Sequence, residues 1–114
     1  MKIVHSNQAH RFEDGSVFVA HEYDTESSDL NTARIEINGR YPVQGQMRNK
    51  EVKEIVYIES GAGEVSINGV VEKIKQGDVV YFEAGEKVYW NGKFTLITTC
   101  TPAWTKEQHE FLKE

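Results

Sequence analysis

Residues 54–65 read EIVYIESGAGEV and carry the most informative pattern in this chain of 114 residues. Glu54 opens a run in which β-branched and aromatic side chains alternate, so it shares one face of a predicted strand over 53–59 with Val56 and Ile58. The glycine-rich residues 60–63 can supply positive φ angles and predict a tight turn. The pattern thus predicts a hairpin that places a carboxylate on an apolar face.

Similar short runs on both sides of this stretch predict further strands. They cover residues 16–23, 30–37, 64–67, 70–75, 79–82, 87–90 and 94–101. Asn68-Gly69 is the strongest hairpin signal, Asn91-Gly92 is a second one, and residues 76–78 and 83–86 predict turns. Eight to ten strands without an internal helix favour a barrel or a sandwich, because antiparallel sheets must bury one face and hide their edges.

The two ends of the chain differ from this pattern. Residues 24–29 are polar and serine-rich, which is typical of a surface loop. Near the other end, Thr105 and Gln108 fit a capping box, and His109 and Phe111 follow at helical spacing. A short C-terminal helix is therefore predicted over residues 105–114.

Composition limits the class of protein. Hydrophobic residues make up 39% and charged residues 27%, and no apolar run approaches the ~20 residues that a transmembrane helix needs. A net charge of −5 argues against a nucleic-acid partner, and the N-terminal residues lack an apolar segment of signal-peptide length. We expect a cytoplasmic protein that binds neither nucleic acid nor membrane. Cys100 is the only cysteine, so no intrachain disulfide can form.

The motifs resemble those of the cupin family. Residues 54–65 resemble the first cupin motif from its glutamate onward, and residues 77–85, GDVVYFEAG, resemble the second, with Glu83 where a proline is usual. Residues 101–109, TPAWTKEQH, are similar to the tail of small single-domain cupins, many without an assigned function. The resemblance covers about residues 35–104. It implies an all-β double-stranded β-helix, the jelly-roll barrel, and not the immunoglobulin-like sandwich that periodicity alone leaves open.

With this family as a guide, the chain is interpreted as one domain spanning residues 1–114. Residues 1–29 would form N-terminal strands and a loop, residues 30–104 the barrel core, and residues 105–114 the C-terminal helix. A homodimer is the family's usual expectation, and the edge strands of a small barrel favour it weakly.

The resemblance also implies where a metal would lie. In metal-bearing cupins, a His-x-His pair, a glutamate and a distant third histidine bind one metal, and these positions fall here at Met47, Asn49, Glu54 and Val88. Only Glu54 is retained. A catalytic transition metal usually needs about three protein ligands, so we expect no obligatory metal and no other cofactor.

Glu54 is the candidate catalytic residue. Burial in an apolar barrel would raise its pKa and make it a general acid or base. Alternatively, hydrogen bonds from Asn49 or a neighbouring arginine would hold it as a residue that orients the pocket. The predicted ligand-binding residues are Met47, Asn49, Glu54, Val88 and Trp90.

The remaining histidines and Cys100 give weaker signals. His21 lies on an alternating strand with a mostly apolar face, which is typical of a satisfied half-buried histidine, although it could enter the cavity. The histidines at 5, 10 and 109 are expected to be exposed. Cys100 is expected to be an inert buried thiol.

Three functions remain open. The favoured hypothesis is a cupin that binds a small organic ligand, such as a sugar or a carboxylate metabolite, without an obligatory metal. The second is a metal-dependent isomerase or dioxygenase that recruits His21 and Gln44 or Gln46 beside Glu54. The third is a structural dimer joined by exchange of N-terminal strands.

Overall fold

The computed structural model describes residues 1–113, which form nine β-strands. The strands are β1 His10–Asp14, β2 Phe18–Tyr23, β3 Asn31–Tyr41, β4 Gln46–Asn49, β5 Lys53–Ile67, β6 Val70–Lys75, β7 Val79–Phe82, β8 Val88–Thr101 and β9 His109–Leu112. They join one curled antiparallel sheet, and the predicted all-β jelly roll is confirmed. The two 3-10 turns, Ser6–Gln8 and Lys106–Gln108, are each 3 residues long, so no described helix is long or apolar enough to cross a membrane.

The long strands β5 and β8 form the centre of the sheet. They pair from Lys53–Thr101 to Ile67–Val88, with a register shift between Ile58 and Ser60. The other edge of β8 pairs with β3 and, through Met47, with β4. The other edge of β5 pairs first with β7 and then with β6. Because both long strands lie inside the sheet and side chains alternate along a strand, every other residue of β5 and β8 faces the barrel interior.

The barrel interior is filled by apolar side chains. Ile58 is 0% exposed and Leu96 is 2% exposed, and burying each such side chain contributes about 1.5–3 kcal/mol. The core cluster consists of Ile37, Tyr41, Val56, Ile58, Val65, Ile74, Val80, Phe82, Val88, Trp90, Phe94 and Leu96. Because this cluster fills the barrel interior, it leaves little space there for a ligand.

The predicted turn at residues 60–63 and the predicted hairpin at Asn91-Gly92 are wrong. Both segments run on as continuous strand, and Gly63 lies directly opposite Gly92. A Cβ on Gly63 would lie 2.4 Å from the Asn91 carbonyl oxygen, and one on Gly92 would lie 2.6 Å from the Cα of Gly63. These glycines therefore permit a close approach of two strands.

The Asn68-Gly69 hairpin is confirmed. It joins β5 to β6, with φ angles of 51° at Asn68 and 83° at Gly69, as a turn with two left-handed residues requires. The turns at residues 76–78 and 83–86 also lie where they were predicted.

The predicted C-terminal helix is wrong over most of its length. Only Lys106–Gln108 make a helical turn, and His109–Leu112 form β9, which pairs with β4. A helix of about ten residues is marginal on its own, so pairing with a sheet edge overrides the capping signal. Glu114, the last residue of the predicted helix, lies outside the described residues.

Candidate functional site

The candidate site lies where the inner face of β5 reaches the end of the barrel. Glu54 is the first inward residue of β5 and lies opposite Phe82 of β7 and Cys100 of β8. Alternation along β8 brings Thr98 to the same side. β4 then contributes Asn49, which is 3% exposed. The predicted neighbours Asn49 and Glu54 are therefore brought together.

Two neutral donors bind the carboxyl group of Glu54. Asn49 Nδ2 donates to Oε2 at 2.6 Å, and Thr98 Oγ1 donates to Oε1 at 2.7 Å. No arginine is paired with Glu54 among the described residues; Arg34 and Arg48 bind Glu59 and Glu110 instead. Glu54 thus has no ion-pair partner among the described residues that would hold it ionised.

Gln108 fixes the orientation of the whole hydrogen-bond chain. Its Oε1 accepts the backbone N–H groups of Glu51 and Val52, both at 3.1 Å, so its Nε2 must be the donor to Asn49 Oδ1 at 3.0 Å. With Oδ1 facing Gln108, the Asn49 amide nitrogen must face Glu54. The backbone N–H groups of Glu51 and Val52 therefore orient Gln108. Gln108 in turn orients the Asn49 amide that donates to Glu54.

The same constraint fixes the tautomer of His109. Its Nδ1 lies 3.0 Å from Asn49 Oδ1, and an amide oxygen can only accept. Nδ1 must carry the proton, which leaves Nε2 of the neutral ring with a free lone pair. The single side-chain amide of Asn49 therefore hydrogen-bonds both the Glu54 carboxyl group and the His109 ring, which is a potential base.

The pKa of Glu54 is raised above 4.5. The largest cause is burial, and the hydrogen bonds from Thr98, Asn49 and Cys100 oppose it. Glu54 as a whole is half-buried, and it lines the cavity described below. Glu54 is hydrogen-bonded by Asn49 and its pKa is raised, so both roles, the acid or base and the residue that orients the pocket, stay predictions.

Burial lowers the pKa of His109 below 6.5, and Glu110 opposes this only in part. His109 is therefore neutral at neutral pH. Burial also raises the pKa of the Cys100 thiol, which is 4% exposed and lies 3.9 Å from Thr98 Oγ1. A thiol held protonated is a poor nucleophile, in agreement with the predicted inert role.

A small cavity adjoins these groups. Its volume is about 10 Å³, counted as the space open to the centre of a water molecule, which is room for about one water. It is lined by Met47, Arg48, Asn49, Glu54, Phe82, Val88 and His109. The cavity therefore has one apolar wall and one wall with Glu54, Asn49 and His109.

The other predicted site residues are placed as follows. Met47 and Val88 are register partners and line the cavity. Trp90 is 4% exposed and packs between Phe82 and Phe94, with ring centroids 6.3 and 5.8 Å away, so it lies in the core behind the cavity. A ligand contact by Trp90 stays a prediction.

The prediction for His21 is confirmed for its half-burial and wrong for its hydrogen bonding. It alternates with Ala20, which is 2% exposed and faces the core, so His21 points to the outer face beside Arg34. Its Nδ1 is buried and has no hydrogen-bond partner among residues 1–113, so it is half-buried but not satisfied. Gln46 also alternates with the cavity-lining Met47. Neither residue lines the cavity beside Glu54.

Sequence reasoning missed His109, Gln108 and Thr98. His109 was expected to be exposed, but it is half-buried against Asn49 because β9 pairs with β4. The alternation of His109 and Phe111 around Glu110 is the signal that indicates a strand, and the capping box at 105–108 obscured it. Thr98 could have been found from its alternation with Cys100 and Leu96.

The residues at the cupin metal positions do not fit a catalytic metal. Met47 offers a soft thioether, Val88 offers no ligand, and Asn49 Oδ1 already accepts two hydrogen bonds. Within residues 1–113, no three side chains of His, Cys, Asp or Glu lie close enough together to hold a metal ion. The donor set supplies only the Glu54 carboxylate.

Replacing Glu54 by glutamine is expected to change how stability depends on pH. Since the folded-state pKa of Glu54 is raised above 4.5, the wild type loses stability as pH rises from the unfolded-state pKa through the folded-state pKa. The glutamine variant cannot ionise and avoids that loss. The Tm of the variant minus that of the wild type should therefore increase between pH 4 and pH 8, measured by differential scanning calorimetry. A constant difference would show that burial of Glu54 has no such effect.

Comparisons with known proteins agree on the fold. Pac13, a nucleoside dehydratase from Streptomyces, has a TM-score of 0.89 and 13% identity, covering 99% of this chain and 92% of its own. KdgF from Halomonas sp. has a TM-score of 0.73 and 12% identity, covering 94% and 98%. An RmlC-like cupin from Shewanella frigidimarina has a TM-score of 0.73 and 17% identity, covering 90% and 92%. At these identities the likeness shows the fold alone.

None of the curated proteins matches this sequence significantly. The family model described as "Cupin domain" matches residues 36–92, which is half of the chain. The match includes Met47, Asn49, Glu54 and Val88 and ends before β9. The chain belongs to the cupin family.

Proposed function

We propose that this protein binds a small organic ligand at the cavity beside Glu54 and moves protons on it without a metal. Glu54 is the proton donor and His109 is the base. Asn49, Met47 and Val88 complete the ligand-binding wall, with Asn49 as the bridge between the two titrating groups. The reaction class is a lyase or isomerase reaction that needs one acid and one base and no redox step.

One observation carries the proposal: Asn49 hydrogen-bonds both Glu54 and His109, at 2.6 and 3.0 Å, and all three line one cavity. A raised pKa keeps a carboxyl group able to donate, and a lowered pKa keeps an imidazole able to accept. Each pKa is therefore shifted in the direction that the proposed role requires.

The size of the cavity limits what can enter it. Space for about one water molecule admits a single hydroxyl, carbonyl or carboxylate group, which would replace that water. The rest of the ligand must lie outside, near Phe111, which is 57% exposed and packs against the ring of His109 at 5.0 Å. A ring of a sugar or a nucleoside is suited to such an aromatic edge.

The structural neighbours are consistent with this class of reaction. Pac13 is a nucleoside dehydratase, and variants of it have been solved with uridine. Loss of water from a polyol needs one group to remove a proton and another to protonate the leaving hydroxyl. The support is by analogy of fold, since the identity is 13%.

Thermal shift of metal-free protein tests the proposal. After dialysis against EDTA, the protein is heated with nucleosides, sugars and small carboxylates, each at millimolar concentration. A ligand at 100 times its Kd should stabilise the fold by about 2.7 kcal/mol. Glu54→Gln should weaken that stabilisation, whereas Glu59→Gln, whose carboxylate binds Arg34 on the outer face, should preserve it.

Two results would contradict the proposal. The first is a ligand response that appears only when a divalent metal is restored, which would favour the metal-dependent enzyme. The second is an equal response of wild type and Glu54→Gln, which would remove Glu54 from the site.

A further inference from the structure

A second cavity lies at the edge of the barrel where β9 pairs with β4. Its volume is about 410 Å³, counted in the same way as that of the cavity beside Glu54, and small-molecule sites span roughly 300–1,000 Å³. Its lining consists of Arg48, Lys87, Leu112 and Lys113. Three of these four residues carry a positive charge, although the whole chain has a net charge of −5. This basic cavity therefore attracts an anion.

Arg48 has further donors available in the basic cavity. Its Nε donates to Glu110 Oε1 at 2.7 Å, and within residues 1–113 no hydrogen bond engages its two terminal NH2 groups. The planar guanidinium group can offer two parallel N–H donors to the oxygens of a phosphate or a carboxylate. Arg48 can thus bind an anion and keep its ion pair with Glu110.

The ammonium groups of Lys87 and Lys113 add positive charge beside this arginine. Each ammonium group has three N–H donors, so a lysine can contact an anion while it keeps another hydrogen bond. A phosphate monoester carries a charge of about −1.5 to −2 at pH 7 and three acceptor oxygens, whereas a carboxylate carries a single charge and two oxygens. Three cationic side chains around one cavity therefore match a phosphate group better than a carboxylate.

The charge of the rest of the chain disfavours a long polyanion such as a nucleic acid. A nucleic-acid strand is bound through many Lys and Arg side chains along its backbone. Acidic residues outnumber Lys and Arg in this chain by 18 to 13, so a polyanion would be repelled beyond the basic cavity. A small molecule with one phosphate group avoids that repulsion.

The basic cavity adjoins the cavity beside Glu54. Arg48 lines both of them. Lys87 in the basic cavity directly precedes Val88, which lines the cavity beside Glu54. One small molecule can therefore extend from one cavity to the other.

We propose that the ligand of this protein is a phosphate ester, whose phosphate group is bound in the basic cavity by Arg48, Lys87 and Lys113. The phosphate group fixes one end of the ligand. A hydroxyl or carbonyl group at the other end enters the cavity beside Glu54, which rests on the function proposed above. The ligand is thus a phosphorylated sugar or nucleoside and not the unphosphorylated parent compound.

Titration with inorganic phosphate, followed by proton–nitrogen NMR at constant ionic strength, tests the basic cavity by itself. In the wild type, the amide signals of the residues that line this cavity should shift. Lys87→Gln/Lys113→Gln leaves the Arg48–Glu110 ion pair in place and should raise the Kd for phosphate about tenfold or more. Arg48→Lys, which keeps the charge and loses the paired donors, should also raise it. The spectra show whether each variant is folded.

Two further variants are the controls for this titration. Lys73→Gln/Lys75→Gln removes two positive charges from exposed positions of β6 and should keep the wild-type Kd for phosphate. Glu54→Gln should keep it as well, because Glu54 lines the other cavity. An equal Kd in the wild type and in Lys87→Gln/Lys113→Gln would overturn the proposal.

Paired ligands connect the basic cavity to the function proposed at Glu54. Sugars and nucleosides are compared with their phosphate monoesters by thermal shift. At least one ester should bind about tenfold or more tightly than its parent compound, and Lys87→Gln/Lys113→Gln should abolish this advantage. If no ester binds more tightly than its parent, the ligand is not a phosphate ester and the proposal is wrong. If Glu54→Gln binds the preferred ester as tightly as the wild type does, the phosphate site stands and the function proposed at Glu54 is wrong.

Discussion

Gly63→Ala is expected to lower the free energy of unfolding by about 3 kcal/mol, which corresponds to a fall in Tm of roughly 10–20 °C. The added Cβ would lie 2.4 Å from the backbone oxygen of Asn91 and 2.8 Å from the ring of Phe94. The carbonyl belongs to β8, the central strand of the sheet, so it cannot move without disturbing the β5–β8 pairing. Chemical denaturation followed by circular dichroism measures the loss.

Gly77→Ala is the matched control for this effect. Gly77 has a φ of +92°, but a Cβ there would meet nothing within 4 Å. Its substitution should cost about 1–2 kcal/mol of backbone strain. Gly63 has no positive φ, so a loss at Gly63 no larger than the loss at Gly77 would mean that the strands relieve the close contact at little cost.

The glycines show where sequence reasoning succeeds and where it fails. Asn68-Gly69 and Asn91-Gly92 are the same dipeptide between β-forming residues, and both predicted a hairpin. The first is a hairpin, but the second lies inside β8, where Gly92 opposes Gly63. The Asn-Gly dipeptide alone cannot distinguish a glycine in a turn from a glycine that allows a neighbouring strand to approach closely. The difference depends on contacts between residues about 30 positions apart.

The same limit applies to the candidate site. Asn49 and Glu54 were predicted because they lie within one motif, five residues apart, and they do form a hydrogen bond. His109 and Gln108 reach Asn49 only through the pairing of β9 with β4, across about 60 residues. No local pattern in residues 105–114 indicates that partner. The motif therefore locates the carboxylate of Glu54. The proposed base, His109, can be identified only from the folded structure.

Glu54→Gln is expected to reduce kcat/KM by about 10²- to 10⁴-fold on the compound that gives the largest thermal shift. Glutamine keeps the size of the side chain and a hydrogen-bonding oxygen, but it cannot donate a proton in the reaction. His109→Gln should cost a similar factor, because an amide cannot act as a base. Turnover is followed by proton NMR in D2O, in which an elimination replaces C–H signals of the substrate by alkene signals and an isomerisation exchanges the abstracted proton for deuterium.

The pH profile of kcat/KM separates a proton donor from a residue that only orients the pocket. In the wild type, activity should fall at high pH as Glu54 ionises, at a pKa above 4.5, and at low pH as His109 gains a proton, at a pKa below 6.5. The residual activity of Glu54→Gln should lack the high-pH fall. Glu59→Gln should retain the wild-type profile.

Because the two groups act on one substrate, the double variant Glu54→Gln/His109→Gln should lose little more than either single variant. Losses that multiply would show that the two residues contribute independently and that Asn49 does not couple them in one proton transfer.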